Sequence, residues 1–532
     1  MNPNAAAASQ PAKLNVAGDI GRQIGLARAA KRDGDEAGTK NHAEAALASL
    51  KSVELNYENL DWRQLAEGDA QWLLGNTTAA EKAFRQAMVA APQQTGGYQR
   101  LAELLQDLGR ADDLNKHIDL CVKRFPKDPI FLKLFAAQAA ANQNYDDAIP
   151  ALAKAFAARP DAETADALGT CLQNINHFNE AVLYHHRAME MDPSNAAYVV
   201  RFGLAMANTA GGSEAAMELF RMAINLNPHL FDAYAYLGRE YQQVGRSDDA
   251  STVFQDGLAR APDNAVLNYY YGQFLQTSGQ AKNAIAAFDK TIAGEDEKAK
   301  SSAIFLRAAA QGETPERAPE SFIKNAFDYF APNFETALKD NPQYRSPGTL
   351  LTLLQQPTVT GVRDLKKQTA RVLDLGCGTG LMGTVIKPYA DALVGVDLSI
   401  SMLHRANEKG IYSLTRCQDI QAYVDEMPAG AFDLVTMADV LTYIGKLNEL
   451  FTALAQKLSA GALVAFGCEK LPEENQGPGY ALQNTVRYAH KDSYIRALAA
   501  QNGFDVLAFQ ASPTRQYGSE TVDGLFYVLG KR

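Results

Sequence analysis

From about residue 61 to residue 294, apolar side chains recur three and four residues apart in short runs broken by polar turns, the period of amphipathic helices. The runs share one register. Proline stands at Pro92, Pro126, Pro160, Pro193, Pro228 and Pro262, at intervals of 33 to 35 residues. On that register Ala80, Ala148, Ala181, Ala216, Ala250 and Ala284 occupy one slot, Phe84, Phe220, Phe254 and Phe288 a second, and Gly75, Gly109, Gly245 and Gly279 a third. Each unit is thus predicted to be two short helices joined by a glycine turn, with small residues where the helices approach. Beyond residue 320 the pattern changes to short apolar runs alternating with helical stretches, at Val372–Leu375, Ala392–Val396, Phe432–Met437, Ala462–Cys468, Val506–Gln510 and Gly524–Leu529. That alternation predicts an open, mostly parallel sheet covered by helices on both faces.

Length agrees with such a division, because 532 residues exceed one hydrophobic core. The expected boundaries are a disordered tail over 1–16, a helical cap or degenerate repeat over 17–60, about seven repeats over 61–293, a linker over 294–319 and a second domain over 320–532. A hydrophobic fraction of 47% describes an ordinary globular chain. The net charge of -10 carries no basic patch, and no Lys/Arg run exceeds two residues, so nucleic acid is not expected as a partner. The five cysteines are scattered without a CxxC, which predicts neither a disulfide framework nor a metal site. The start of the chain lacks a charged stretch leading into an apolar one, and no run of about 18 apolar residues occurs, so a cytoplasmic protein without a membrane partner is expected.

The repeat resembles the tetratricopeptide repeat, best matched by Tyr234, Leu237-Gly238, Tyr241, Ala250, Phe254 and Pro262. The resemblance implies an all-α solenoid with a groove lined by residues such as Gln99, Gln173, Arg201, Arg239, Gln242 and Gln273. Carboxamides there offer a donor and an acceptor to an extended backbone, so a protein or peptide partner is expected, with an oligomer as the other use of such a surface.

The second domain opens on Val372-Leu373-Asp374-Leu375-Gly376-Cys377-Gly378-Thr379-Gly380, a strand running into a glycine turn. The next strand ends at Asp397, where a carboxylate is placed to hold a ribose diol. A dinucleotide fingerprint would require glycine at position 381, which is Leu381, and a fixed carboxylate at Asp374 repels a pyrophosphate. S-adenosylmethionine, cationic and without phosphate, suits the pattern.

Through these residues and Val394-Gly395-Val396-Asp397-Leu398-Ser399, residues 320–532 resemble the class I S-adenosylmethionine-dependent methyltransferases, a Rossmann-like α/β fold closed by an antiparallel last strand. The whole chain resembles bacterial members of that class that carry tetratricopeptide repeats. The resemblance implies that Asp374 and the Gly376, Cys377, Gly378 and Gly380 backbone hold the methionine end, and Asp397 the ribose. It places Leu398 and Met402 beside the adenine, Asp419 on its amino group and Ile420 against the ring, with Met437 and Ala438 near the sulfonium. The segment Phe327–Phe334 looks like a lid, with Tyr329 and Phe334 covering the cofactor.

Methyl transfer needs a base only when the acceptor must lose a proton; a carboxylate acceptor needs none. His490, one of two histidines in this domain with His404, and Tyr443 are the candidate catalytic residues. Arg487, Arg515, Glu469 and Tyr480 are candidates for binding substrate, the arginines by gripping an acidic group. The expected function is a methyltransferase whose repeats recruit a protein or peptide-carried substrate. The alternatives are a small-molecule O- or N-methyltransferase with repeats for oligomerisation or localisation, and a non-catalytic adaptor that binds S-adenosylmethionine.

Overall fold

The structure is a computed structural model that describes residues 10–53, 60–175, 177–209, 211–331, 334–335, 345–517 and 520–532. Its contacts separate two compact units, Met1–Leu168 and Gly169–Arg532, the division falling inside the helix Ala162–Asn174. The first unit begins with the helix Gln10–Arg32, so residues 10–16 of the expected tail are helical and residues 1–9 lie outside the described residues. The pair Gln10–Arg32 and Glu36–Lys51 precedes three further pairs, Leu60–Leu73 with Thr77–Ala90, Gly96–Asp107 with Ala111–Arg124, and Pro129–Ala141 with Tyr145–Ala158. Local chemistry sets these ends. Asp128 accepts the amide of Ile130 at 2.9 Å and Pro129 occupies the first helical position, which starts one helix; Gly75 at φ 79° closes another, with Asn76 N–H donating back to Gln71.

The second unit holds four repeat pairs, completed by Phe178–Met191, Ala196–Ala207 with Ser213–Leu226, Phe231–Gln243 with Ser247–Arg260, and Ala265–Thr277 with Ala281–Ala293. The phenylalanine slot is the core of each pair. Phe254 is fully buried and its ring fills the space a Cβ on Gly238 would need, 2.6 Å away; Phe220 meets Gly203 and Phe288 meets Gly272 in the same way. In the Ala162–Asn174 pair the slot holds His185, fully buried against Gly169.

A further helix, Glu297–Gln311, leads through residues 312–319 to the helix Glu320–Phe330 and the sheet. Among the described residues there are nine strands, β1 Ala370–Leu375, β2 Ala390–Asp397, β3 Leu414–Cys417, β4 Leu434–Met437, β5 Leu463–Lys470, β6 Tyr480–Leu482, β7 Tyr488–His490, β8 Phe504–Tyr517 and β9 Glu520–Lys531. Their order is β3-β2-β1-β4-β5-β7-β6, parallel through β5 and β7, with β9 antiparallel to β5 along Leu463–Glu469 and β8 antiparallel to β9. This is the Rossmann-like sheet with antiparallel closing strands expected from sequence. One face is covered by the helices Ile420–Glu426, Asn448–Lys457 and Asp492–Gln501, through Val424, Leu454, Ile495 and Phe466. The other is covered by Ser346–Leu354 and Leu381–Ile386, through Leu350, Leu353 and Ile386. The chain leaves β1 for β2 on one side and returns to β4 on the other, so a cleft opens beyond the carboxyl ends of these three strands.

The repeat helices and the sheet share buried surface inside the second unit. Phe305, Ala309 and Ala318 pack with Tyr480, Leu482 and Tyr488, and Val486 reaches both this cluster and the repeat core. The segment 314–318 is bonded to the sheet side by Tyr488 Oη donating to Pro315 O at 2.9 Å, Gly445 and Lys446 amides donating to Glu316 O at 2.9 Å, and Ala318 N–H donating to Tyr443 O at 3.0 Å. Among the described residues, no helix is long and apolar enough to cross a membrane, and no cluster of His, Cys, Asp and Glu has the arrangement of a metal site.

Candidate functional site

A cavity of about 370 Å³ occupies the cleft at the carboxyl ends of β1, β2 and β4, within the range of small-molecule sites. Its floor is the glycine turn. Gly376 and Gly378 stand at φ 64° and 54°, which only glycine adopts freely, and the amides of Gly376 and Cys377 both donate to Val396 O, at 2.7 and 3.0 Å, tying the turn to β2. A Cβ on Gly376 would meet Val440 Cγ2 at 2.3 Å, whereas one on Gly378 would have nothing within 4 Å. The first glycine makes room for protein and the second leaves room in the cavity. Thr379 Oγ1, buried beside it, has no hydrogen-bond partner among the described residues.

Asp397, ending β2, accepts the Gly378 amide on Oδ2 at 2.8 Å and the Ser399 amide on Oδ1 at 2.9 Å. Burial pushes its acid strength down, to a pKa of about 6, while the Ser399 and Gly378 amides pull the other way. Ser399 caps the helix Ile400–Glu408 by accepting the Met402 amide at 3.0 Å, and its hydroxyl donates to Asp328 at 2.6 Å, which docks the helix Glu320–Phe330 over this side. Asp419 has two tasks. It caps the helix Ile420–Glu426 through the amides of Gln421 and Ala422, at 3.0 and 3.2 Å, and it lines the cavity, where Arg317 donates to its second oxygen at 2.6 Å.

At the other end Arg487 and Arg515 line the cavity and share one carboxylate. Glu469, only 3% exposed, accepts Arg487 Nε at 2.5 Å and Arg515 Nε at 2.9 Å on the same oxygen. Arg487 Nη1 also donates to Tyr443 Oη at 3.0 Å, with its guanidinium carbon 5.4 Å from that ring's centre. Tyr443 meets Phe327 edge-on at 5.3 Å, and Phe327, Phe330 and Phe334 line the cavity on the lid side.

The sequence candidates therefore separate. Gly376, Cys377, Gly378, Asp397, Leu398, Met402, Asp419, Ile420, Ala438, Tyr443, Arg487 and Arg515 line one cavity. Six do not, and each has a physical reason. Asp374 faces inward, accepting from Tyr412 Oη and Thr436 Oγ1, both at 2.7 Å, and burial pushes its pKa up to about 6. Gly380 is the left-handed residue preceding the helix Leu381–Ile386, backed by Tyr412. Met437 is fully buried in the core under the sheet. His490, read as the base, is the last residue of β7. It is fully buried, with Nε2 3.0 Å from Gly445 O and its ring stacked on Tyr494, and burial drives its pKa down to about 4. Tyr480 packs among Tyr488, His490 and Tyr494. Glu469 lies beneath the arginines it holds. The side chain of Tyr329 lies outside the described residues.

The sequence reading missed Arg317, which it assigned to the linker, and it placed Phe327 and Phe330 in the lid segment while naming only Tyr329 and Phe334 as covering residues. Nothing local marks Arg317, since its role depends on the 314–318 segment being bonded to loops more than a hundred residues away.

Residues 348–508 match the family model described as a methyltransferase domain. An uncharacterized methyltransferase of Schizosaccharomyces pombe is 32% identical over 141 residues, 24% of this chain and 49% of that protein. A malonyl-[acyl-carrier protein] O-methyltransferase of Salmonella typhimurium is 31% identical over 156 residues, 29% of this chain and 56% of that protein. The chain thus spans about half the length of the curated relatives it matches. Among solved structures, the crystal structure of YrrB, a TPR protein with an unusual peptide-binding site, is similar over 35% of this chain and 97% of its own, at 20% identity and a TM-score of 0.33.

Proposed function

We propose that the chain is an S-adenosylmethionine-dependent methyltransferase whose repeats recruit a polypeptide-borne acceptor. One observation carries the cofactor assignment. The Gly376–Gly380 turn and Asp397 meet at a single hydrogen bond, Gly378 N–H to Asp397, on the floor of a cavity that Asp419 and Asp439 also line. Among the described residues, the fit is supported by Thr379 Oγ1, a buried hydroxyl without a partner, and by the open space that a Cβ on Gly378 would meet. Asp397 would accept from the ribose diol and Asp419 from the adenine amino group, with Met402 and Ile420 against the ring and the turn amides on the methionine end. When bound, S-adenosylmethionine supplies a methyl group activated by a sulfonium. The chain's own work is to orient donor and acceptor in line and to exclude water, which the lid residues Phe327, Phe330 and Phe334 perform.

Recruitment by the repeats is supported by the packing of Val486, beside the cavity residue Arg487, on the hydrophobic core that the repeats share with the helix Glu297–Gln311. Calorimetry of the full chain and of Asp397→Ala tests the cofactor reading, because equal S-adenosylmethionine binding by both would exclude it. Labelled-methyl transfer into a lysate, with the full chain and with residues 169–532, tests recruitment. Undiminished labelling of macromolecules by the shorter chain would assign that task away from residues 1–168.

A further inference from the structure

We infer that the group methylated in this cavity is a carboxylate, gripped by Arg487 and Arg515, so that the product is a methyl ester. The inference rests on the cofactor assignment above and goes beyond it to the acceptor.

The chain invests several features in aiming two guanidiniums at the end of the cavity away from Asp397 and Asp419. Arg487 follows Val486, whose φ of 61° is a costly conformation for a β-branched residue, in the loop joining β6 and β7. The loop is closed by Val486 N–H donating to Gln483 O and Gln483 N–H to Arg487 O, both at 2.8 Å, and Val486 packs on the cluster of Phe305 and Ala309 and on the core shared by the repeats and the helix Glu297–Gln311. Arg515 follows a register shift between Pro513 and Arg515 in the β8–β9 pairing, which leaves Thr514 as the extra residue, and a bulge of this kind re-aims neighbouring side chains. Glu469 meets both arginines through their Nε atoms. Arg487 Nη1 then reaches Tyr443 at the cavity wall. A buried carboxylate that orients two guanidiniums by their inner nitrogens keeps their forks in one fixed attitude, the arrangement that recognises a planar anion.

The other charged groups of the cavity are accounted for. Arg317 is bonded to Asp419, Asp397 holds the Gly378 and Ser399 amides, and Asp439 accepts from Ser346 Oγ at 3.1 Å. Neither histidine nor lysine lines the cavity among the described residues, and the one histidine read as a base is buried under β7. An acceptor already anionic suits that lining, because nothing has to remove a proton. In the step, the carboxylate oxygen forms a bond to the methyl carbon as that carbon's bond to sulfur breaks. The electron pair stays on sulfur, and a methyl ester and a neutral thioether result, with no proton transferred.

The experiment uses the full chain with labelled S-adenosylmethionine and a lysate of cells lacking the protein, followed by alkali. The expected label is released by alkali as volatile methanol. It falls at least tenfold in Arg487→Gln and in Arg515→Gln, while calorimetric binding of S-adenosylmethionine by both stays within threefold of the parent, which shows that they are folded. Label that resists alkali, as on an amine or an ether, overturns the inference. So does an alkali-labile label unaffected by both substitutions, or no transfer by a parent that binds S-adenosylmethionine. Failure of the parent to bind S-adenosylmethionine would instead remove the cofactor assignment beneath it.

Discussion

Gly376 and Gly378 are two residues apart in one turn, yet the structure gives them different work, and alanine at each should fail differently. Both have φ near +60°, so either substitution costs about 1–2 kcal/mol of stability from the left-handed backbone alone. Gly376→Ala adds a collision, because its methyl group would lie 2.3 Å from Val440 Cγ2 and 3.1 Å from Cγ1. Relieving such an overlap in a packed site costs about 1–3 kcal/mol more, for a total of about 2–5 kcal/mol. Gly378→Ala meets no atom of the described residues within 4 Å, so its stability loss should stop at about 1–2 kcal/mol. Its methyl group projects instead into the cavity, where about 2 kcal/mol of displacement weakens S-adenosylmethionine roughly 30-fold. Urea unfolding and titration calorimetry read the two effects separately. Adding Val440→Ala should recover the collision share in Gly376→Ala and leave the binding defect of Gly378→Ala untouched. The reasoning is refuted if Gly378→Ala binds S-adenosylmethionine within threefold of the parent, or if Val440→Ala rescues both variants alike.

Asp397 is held up to about pH 6 as an acid by burial, and diol hydrogens favour its ionised form, so S-adenosylmethionine affinity should fall about tenfold per pH unit below 6; calorimetry between pH 4.5 and 8 checks the slope. The pKa shift of His490 has the opposite direction, since burial favours its neutral form. That contribution is present above pH 6.5 and lost as pH falls toward about 4, so the stability gap between parent and His490→Gln should narrow by about 3 kcal/mol over that range, while Asp374 and Asp397, which titrate in both proteins, cancel. Arg317→Gln removes a half-exposed ion pair with Asp419 and should weaken S-adenosylmethionine by about 3- to 5-fold, the share of about 1 kcal/mol, leaving the melting temperature almost unchanged. Residues 169–532 should bind S-adenosylmethionine as the full chain does, whereas residues 312–532 should not, since they lack Phe305 and Ala309 under Tyr488; calorimetry of the two shorter chains decides.

What was legible in the sequence was local in the chain. The glycine turn, Asp397 at the end of β2 and Asp419 before its helix are set by strand-turn-helix signals within a few residues, and the repeat register by a 34-residue echo. What was not legible depends on partners far along the chain. Asp374 is claimed by Tyr412 and Thr436, so a carboxylate in the expected place turns away from the cavity. The three-residue strands β6 and β7 are too short to show alternation, and for that reason His490 reads as a free base instead of a buried strand residue. Arg317 sits in a stretch without periodicity and gains meaning only when Pro315, Glu316 and Ala318 are bonded beside it.

The cluster of Phe305 and Ala309 with Tyr480, Leu482 and Tyr488 has a consequence for synthesis. The helix Glu297–Gln311 emerges from the ribosome with its apolar face complete, but Tyr488 follows about 180 residues later, roughly 10–40 s at ordinary elongation rates. During that interval the helix that follows the repeats presents Phe305 without its lasting cover, and the enzyme half cannot seal until nearly its final strands arrive. The end of the repeat array is therefore the place where a nascent chain of this protein is most exposed to chaperones, or to another chain in the same state.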